Sequence, residues 1–442
     1  MRHSTRRSVL RGIGAGSAVG ITALAGCSGD GGDGGGSDGG DGGDGSGGDG
    51  GDGGSTGTPG DMGPTSFHVG VMSAFSGPFA DWGPAHELGA TLAAEDIQAD
   101  HDVEIEVSRY DTETNPSAAQ ERIQRAVTAD GIDFAFGGIS SAVCSTIGSW
   151  TSDNGVVYIA DGASGTLTGS DCQPFMFRTY NSNNMMSRAA APPMAEIADS
   201  WYILYADYVW GQNAQEIIGS LLEEEGASVA GRDATPWPPT SRDYTQYLNN
   251  AANSDADGLA LVMPGAEPAQ AMSQARNEGI LGDFQVMVHQ NEDPTYWGLG
   301  KWAAASLAVA PTGWVNTVEG GEEFKQRVAD QGDLDPFVRH VTAYEGMDQL
   351  VRAAIRAGSK EAEDVRGALE GHEITDSRIN DIESGTMYWR ECDHQLVKPT
   401  YIVSGRAEAD MVDSPYRQWF NVDQSIPGED VIRSCEETGC SF

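Results

Sequence analysis

From Phe67 onward, short apolar runs alternate with longer stretches in which apolar residues recur every three or four positions. A short apolar run bounded by turn residues reads as a buried strand, and the 3.6-residue recurrence reads as an amphipathic helix. Residues 67–72 are then a strand, 73–84 a Gly/Pro loop, and 85–98 a helix carrying Leu88, Leu92 and Ala93. The next strand spans 103–110, and Pro116, suited to a first helical position, opens a helix over 117–129. Phe134-Ala135-Phe136, a helix starting near Ala142 and a strand over 156–160 complete this half.

The pattern then begins again. Helices are predicted over 185–199, 213–225, 241–253 and 267–278, with strands at 201–205, 228–230, 259–263 and 285–288. A strong helix covers 343–357, and 365–369 lies on a shorter one. Continuous apolar strands separated by amphipathic helices imply parallel sheets covered on both faces. Two such sheets in one chain create a crevice, and ligands bind there at the carboxyl ends of strands.

The first 64 residues follow other rules. Thr5-Arg6-Arg7-Ser8-Val9-Leu10 is a twin-arginine stretch, residues 13–25 form an apolar run, and Leu24-Ala25-Gly26-Cys27 is a small-residue cleavage site ending in cysteine. Twin-arginine stretches are export addresses, and the run falls short of the roughly 20 residues of a membrane span. Residues 1–27 are therefore expected to be a lipoprotein signal whose Cys27 becomes the lipidated first residue. Residues 28–64 are almost entirely Gly, Asp and Ser, too poor in apolar surface to offset their ordering entropy, and read as a disordered tether. A Gly-rich coil of that length reaches roughly 35 Å. Calcium-binding nonapeptide repeats would need an apolar residue in each repeat, and none is present.

Charge narrows the partners. Setting aside four signal arginines and eight tether aspartates leaves 58 acidic and 22 basic residues, a net of −36. Such a surface repels nucleic acid and anionic lipid. The only lysines are Lys301, Lys325, Lys360 and Lys398, and the acidic residues are dispersed rather than clustered. Dispersal points to adaptation to concentrated salt, where repulsion is screened within about 3 Å at 1 M.

Six cysteines occur, one of them Cys27. Disulfides persist in exported proteins, but the remaining five, Cys144, Cys172, Cys392, Cys435 and Cys440, cannot all pair. Cys392-Asp393-His394 with Cys435 and Cys440 also admits a zinc reading, although the spacing matches no standard finger. Catalytic motifs fail on inspection. Gly162-Ala163-Ser164-Gly165-Thr166 ends in threonine where a nucleophile elbow needs glycine, His86-Glu87 lacks a second histidine, and no Gly-Lys-Ser/Thr phosphate loop occurs. No enzyme activity and no cofactor are expected.

Three loops at strand ends instead carry Gly, small hydroxyls and aromatics: residues 73–83, 137–142 and 160–164. Backbone N–H groups and hydroxyls presented this way suit a small polar ligand. With these loops come Ser76-Gly77-Pro78 and Trp82-Gly83, Tyr110-Asp111 before Asn115-Pro116, Gly137-Gly138-Ile139-Ser140-Ser141, Phe177-Arg178-Thr179, and Asp207-Tyr208-Val209-Trp210-Gly211-Gln212. In their order and spacing, from about Phe67 to the end, these motifs resemble the type I periplasmic-binding fold, in particular the leucine/isoleucine/valine-binding and amide-binding proteins of ABC importers.

The resemblance implies two parallel-sheet α/β lobes joined by three hinge crossovers near Tyr180, Pro311 and Met387. Lobe I would comprise 65–180 and 312–387, and lobe II 181–311 and 388–442. It implies that Ser140 or Ser141 holds a ligand carboxylate, and that Gly162, Ala163 and Ser164 hold its α-amino group and remaining oxygen. Trp82 and Trp210 would cover the ligand, with further contacts from around Gly265 and from Gln290 or Asn291. Family members usually place a carboxylate near that last position for an ammonium, a part open here to Glu292 or Asp161. It also implies a Cys144–Cys172 bridge and pairing of Cys392 with Cys435 or Cys440. The function expected is capture of a branched-chain amino acid or related small polar solute, by a monomeric lipoprotein of a haloarchaeal cell surface, for an ABC permease. An amide, urea or aromatic acid as ligand, or a ligand sensor of the same fold, is the alternative.

Overall fold

The computed structural model describes residues 63–442. The signal, Cys27 and nearly all of the tether lie outside the described residues.

The first sheet holds β1 (Ser66–Ser73), β2 (Glu104–Asp111), β3 (Phe134–Gly137), β4 (Tyr158–Ala160) and β5 (Met176–Arg178), in the order β2-β1-β3-β4-β5, all parallel. The second holds β6 (Ser200–Ala206), β7 (Ser228–Thr235), β8 (Gly258–Val262), β9 (Gln285–Val288) and β10 (Leu307–Thr312), parallel to one another. The hairpin β11 (Tyr388–Trp389) and β12 (Leu396–Val397) then leads to β13 (Thr400–Gly405) and β14 (Phe420–Ile426). These last two extend the second sheet antiparallel, giving the order β14-β13-β10-β9-β8-β6-β7. The expected two parallel-sheet α/β lobes are present, with an antiparallel pair added at this edge.

Burial explains which strands were predictable. Central strands such as β3 and β8 are buried at every position, so their sequences are continuous apolar runs. The edge strand β7 alternates exposed and half-buried residues, and Arg232 and Asp233 disguise its second half. The helix Val338–Ala357 begins five residues before its predicted start, because Arg339 and His340 are polar yet point inward and are fully buried.

Two corrections concern the carboxyl end. The third passage between sheets lies at Lys398–Pro399 rather than near Met387, because the preceding two-stranded hairpin packs on the first sheet, bridged to β5 at Arg178 and Gln395. There Arg178 N–H of β5 donates to the His394 carbonyl, the His394 ring stacks on Phe177 at 3.9 Å, and Trp389 meets the same ring edge-on. Asn181, on the first passage, donates to the Pro399 carbonyl and Thr400 Oγ1. It also lies against Gly313 on the second passage, where a Cβ would come within 2.7 Å of Asn181 Oδ1. One amide side chain therefore sits where all three hinge segments meet.

The Cys144–Cys172 bridge does not form. The bridges are Cys172–Cys440 and Cys392–Cys435, while Cys144 is a buried free thiol. Cys144 faces inward, within bonding reach of the Gly137 carbonyl, and burial pushes its pKa up to about 11. Cys172 lies on the loop between β4 and β5 and meets the returning tail. With four thiols in bridges, the zinc alternative loses its ligands. The tail, assigned from sequence to the second lobe, is thus fastened to the first. Arg433 reinforces it by donating to the Gly165 and Thr168 carbonyls, and Arg188 on the helix Asn183–Ile197 lies 3.4 Å from Glu437.

A bridge spanning 268 residues constrains the unfolded chain strongly. Replacing Cys172 and Cys440 together by serine is expected to lower the unfolding free energy by about 2–4 kcal/mol in denaturant titrations.

Candidate ligand-binding cleft

The carboxyl ends of both sheets face a common cleft, and the first loop supplies its aromatic edge. Asp111, at the end of β2, accepts N–H bonds from Phe75, Ser76 and Glu113 and so fixes the 74–82 turn. Burial alone would raise its carboxyl pKa, but these hydrogen bonds outweigh that and hold it below the usual value. Gly77 has φ +82° and a Cβ there would lie 2.6 Å from the Glu113 carbonyl, so the turn requires glycine. The turn delivers Phe79 and Trp82, stacked at 4.9 Å, into the cleft.

The cavity between the lobes measures about 20 Å³, room for about one water molecule, so a solute is admitted only as the lobes part. Its first-lobe wall is Phe79, Trp82, Ile139 and Arg339. The second lobe contributes Tyr208, Trp210, Met263, Pro264, Gly265, Pro268, Val288, His289, Gln290, Glu292 and Thr295. Aromatic contacts cross from one lobe to the other: Phe79 stacks on Trp237 at 5.4 Å, Trp237 on Tyr208 at 5.1 Å, and Tyr208 meets Trp210 at 5.9 Å. Such pairs add about 0.5–1.5 kcal/mol each beyond area burial. The lobes are closed on each other.

Of the residues singled out from sequence, Trp82, Trp210, Gly265 and Gln290 are on this wall. Trp210 Nε1 donates to Gln290 Oε1 at 2.8 Å, and Gln290 Nε2 donates to Glu292 at 2.9 Å. Ser140, Ser141, Gly162, Ala163 and Ser164 are buried behind it. Ser141 Oγ accepts from the Ser164 N–H at 3.0 Å, which joins the two loops. The Arg178 guanidinium, from the quoted Phe-Arg-Thr motif, donates to the Ser164 carbonyl and Thr168 Oγ1, so its part is to brace the same loop. Asn291 is fully buried, off the wall, with both side-chain polar atoms lacking a partner among the described residues.

The group that sequence reasoning missed is Arg339. It is 1% exposed and lies between two carboxylates. Nη1 donates to Asp161 Oδ2 and to the Asp161 carbonyl at 2.7 Å, while Nε and Nη2 grip Glu292 at 3.0 and 2.5 Å. Its plane also lies over Tyr180 at 4.3 Å and Trp82 at 5.3 Å. Burial opposes its charge, but Glu292 and Asp161 more than compensate and raise its pKa. Burial would likewise raise the Asp161 pKa, yet the Arg339 charge, helped by His86, holds it below the ordinary value. No periodicity marks Arg339, which stands in the mixed stretch Asp335-Pro336-Phe337-Val338-Arg339-His340.

A Ser-His-Asp string ends on this cluster: Ser73 Oγ lies 2.9 Å from His86 Nδ1, and His86 Nε2 lies 2.7 Å from Asp161. A nucleophile must reach its substrate, whereas Ser73 is fully buried and off the cavity wall. The string orients Asp161 toward Arg339.

His289, on the wall, and His340, next to Arg339, are both fully buried, and burial lowers each pKa to about 3. In the unfolded chain they titrate near 6.5. Since folding depresses both values, their stabilising contribution is complete above pH 6.5 and is lost as pH falls toward 3. The slope is about 1.4 kcal/mol per pH unit per histidine within that window. Chemical unfolding at pH 7 and pH 5 should reveal this loss, and replacing both by glutamine should flatten it; an unchanged slope contradicts the assignment.

Comparison with known proteins agrees with this architecture. Residues 66–410 match the family model described as periplasmic binding protein. The leucine-specific-binding protein of Salmonella typhimurium is 21% identical over 221 residues, which are 49% of this chain and 59% of that protein. The chain thus aligns with about three fifths of that relative's length. Among solved structures, an amino acid ABC transporter substrate-binding protein from Pseudomonas fluorescens Pf-5 superposes with a TM-score of 0.74 at 22% identity, over 85% of this chain and 99% of that one. An ABC transporter solute-binding protein from Rhodopseudomonas palustris, in complex with 4-hydroxybenzoate, gives 0.71 at 17% identity, over 83% and 99%. At such identities the structural likeness shows the fold. Because the family model covers most of the chain, the protein belongs to the periplasmic binding protein family.

Proposed function

We propose that this protein is the solute-binding component of an ABC importer and captures a branched-chain amino acid, or a closely related small polar zwitterion, between its lobes. The observation that carries this reading is the cavity's chemistry. One guanidinium (Arg339) and one carboxylate (Glu292) line a wall that is otherwise largely apolar and aromatic, including Ile139, Met263, Val288 and Trp210. The two charges are bonded to each other at one place on that wall, and together with the apolar surface around them they complement an amino acid with a hydrocarbon side chain. Glu292 takes the part of ammonium receptor that sequence left open between it and Asp161, and Asp161 stays with Arg339 behind it. A neutral amide or urea uses neither charge, and an aromatic acid uses only one.

Capture shifts the lobes toward closure to the extent that the ligand binds the closed form better, and the closed form docks on the permease. The protein acts as a monomer without enzymatic activity. It is exported through its twin-arginine signal and held on the outer face of the cell membrane by lipidated Cys27. The 28–64 tether lets it turn and dock without diffusing away. A high-salt habitat fits the charge: of four lysines, Lys325 and Lys398 are buried, so the acidic surface exposes little ammonium.

A thermal-shift panel of leucine, isoleucine, valine, short amides, urea and benzoates in multimolar salt tests the reading by mass action. A branched-chain amino acid is expected to raise the midpoint, and Trp82→Ala and Trp210→Ala should each weaken its binding about tenfold or more. A shift produced only by an amide, urea or benzoate refutes the ligand assignment. Unchanged affinity in both variants refutes the site.

A further inference from the structure

The third passage between the lobes carries buried charges of its own. Lys398 is fully buried, and its Nζ lies 2.8 and 2.9 Å from the two oxygens of Glu345 and 3.4 Å from Glu383 Oε2. Glu345 stands on the helix Val338–Ala357, and Glu383 follows the short helix Ile379–Ile382. Their exposures are 0% and 1%. Neither oxygen of Glu383 receives a hydrogen bond among the described residues, and the buried Tyr401 hydroxyl of β13, which feels both carboxyls, also lacks a partner. Asp348, one turn along the Glu345 helix, is paired with Arg352. Two carboxyls therefore face one ammonium. A second ionised carboxylate with no donor is too costly in a dry interior, and such a group takes up a proton instead. Two carboxyls at one site hold that proton between them. Burial pushes the Glu345 carboxyl well above the usual range, with Lys398 opposing and Glu383 adding to the rise.

We infer that the hinge holds a proton: Glu345 and Glu383 share one beside Lys398, and opening the third passage to water releases it. The proton comes from solvent and returns there, and only an O–H bond is made or broken. With it the cluster is neutral; without it a net negative charge is sealed where the passage is packed most tightly. Asn181 holds Pro399 and Thr400 there, and Gly428 of the returning tail lies against Lys398, where a Cβ would come within 2.4 Å of its carbonyl. Water must enter before both carboxylates can be ionised. The sign of the pH dependence follows. Closing raises the affinity of the pair for its proton, so the stability gained is complete below the ordinary glutamate value near 4.3 and falls as pH rises above it. Alkaline pH thus favours an open passage.

Infrared spectra of the protein, with and without carbon-13 in its glutamate side chains, are expected to show a non-ionised glutamate carboxyl at about pH 7.5, far above the ordinary titration range. Glu383→Gln should lose that band, because one carboxylate is then left for one ammonium. Hydrogen exchange of peptides covering 396–402, corrected for the intrinsic pH dependence of amide exchange, should show the wild-type passage opening about tenfold more often at about pH 8.5 than at about pH 7.5. In Glu383→Gln that increase should be absent. If wild type shows no such glutamate band, or the band survives in Glu383→Gln, the inference is overturned. An exchange increase of the same size in both proteins overturns it as well. Should Glu383→Gln not fold, the wild type decides: a glutamate band that vanishes on unfolding, together with the tenfold increase, upholds the inference, and the absence of either overturns it.

Discussion

A buried guanidinium between two carboxylates holds the cleft together. Arg339 cannot shed its proton in a protein, so folding must bring Asp161 from one sheet and Glu292 from the other within bonding distance of it. Each of those carboxylates would be costly to bury without it. The requirement acts on both lobes at once. It fixes the end of β4 through Asp161, the end of β9 through Glu292, and the start of the helix Val338–Ala357 between them. The same arrangement repeats at the hinge, where Lys398, fully buried, lies 2.8 Å from Glu345 and 3.4 Å from Glu383. In a chain of net charge −40, Arg339 where the lobes meet and Lys398 at the hinge are each paired with two carboxylates.

Around that cluster the chain combines freedom with restraint. Three hinge segments converge on Asn181, whose amide clips the third passage and abuts the second. The tail then returns to the first lobe and is fastened there by two disulfides, with Arg188 of the adjoining helix near its end. The aromatic series from Trp82 to Trp210 is broken by any opening, since Phe79 and Trp237 stand on different lobes. Closure thus involves the Arg339–Glu292 pair and the Phe79–Trp237 stack, beside the Gly165 N–H bond to Asn213 Oδ1.

What could be read beforehand follows from which residues point where. Strands such as β8, buried on both faces, are apolar throughout and declare themselves, and the loops at their carboxyl ends led to Trp82 and Trp210 on the cavity wall. The second half of β7 and the start of the 338–357 helix did not, because Arg232 on the exposed face and Asp233 on the half-buried face interrupt the one, and Arg339 and His340 turn inward in the other. Ser140 and Ser141 are buried behind the wall, where Ser141 Oγ accepts the Ser164 N–H, a contact that depends on how two loops pack. Cysteine pairing was illegible for a related reason: Cys172 meets Cys440 only once the tail has come back across the molecule. Arg339 carried no local signal, as its role arises from two carboxylates distant in sequence.

The most direct measurement is a crystal structure of the protein grown with whichever branched-chain amino acid it binds. The account predicts ligand density between the lobes against Trp82 and Trp210, its ammonium on Glu292, and Asp161 still paired with Arg339. Density elsewhere would contradict it.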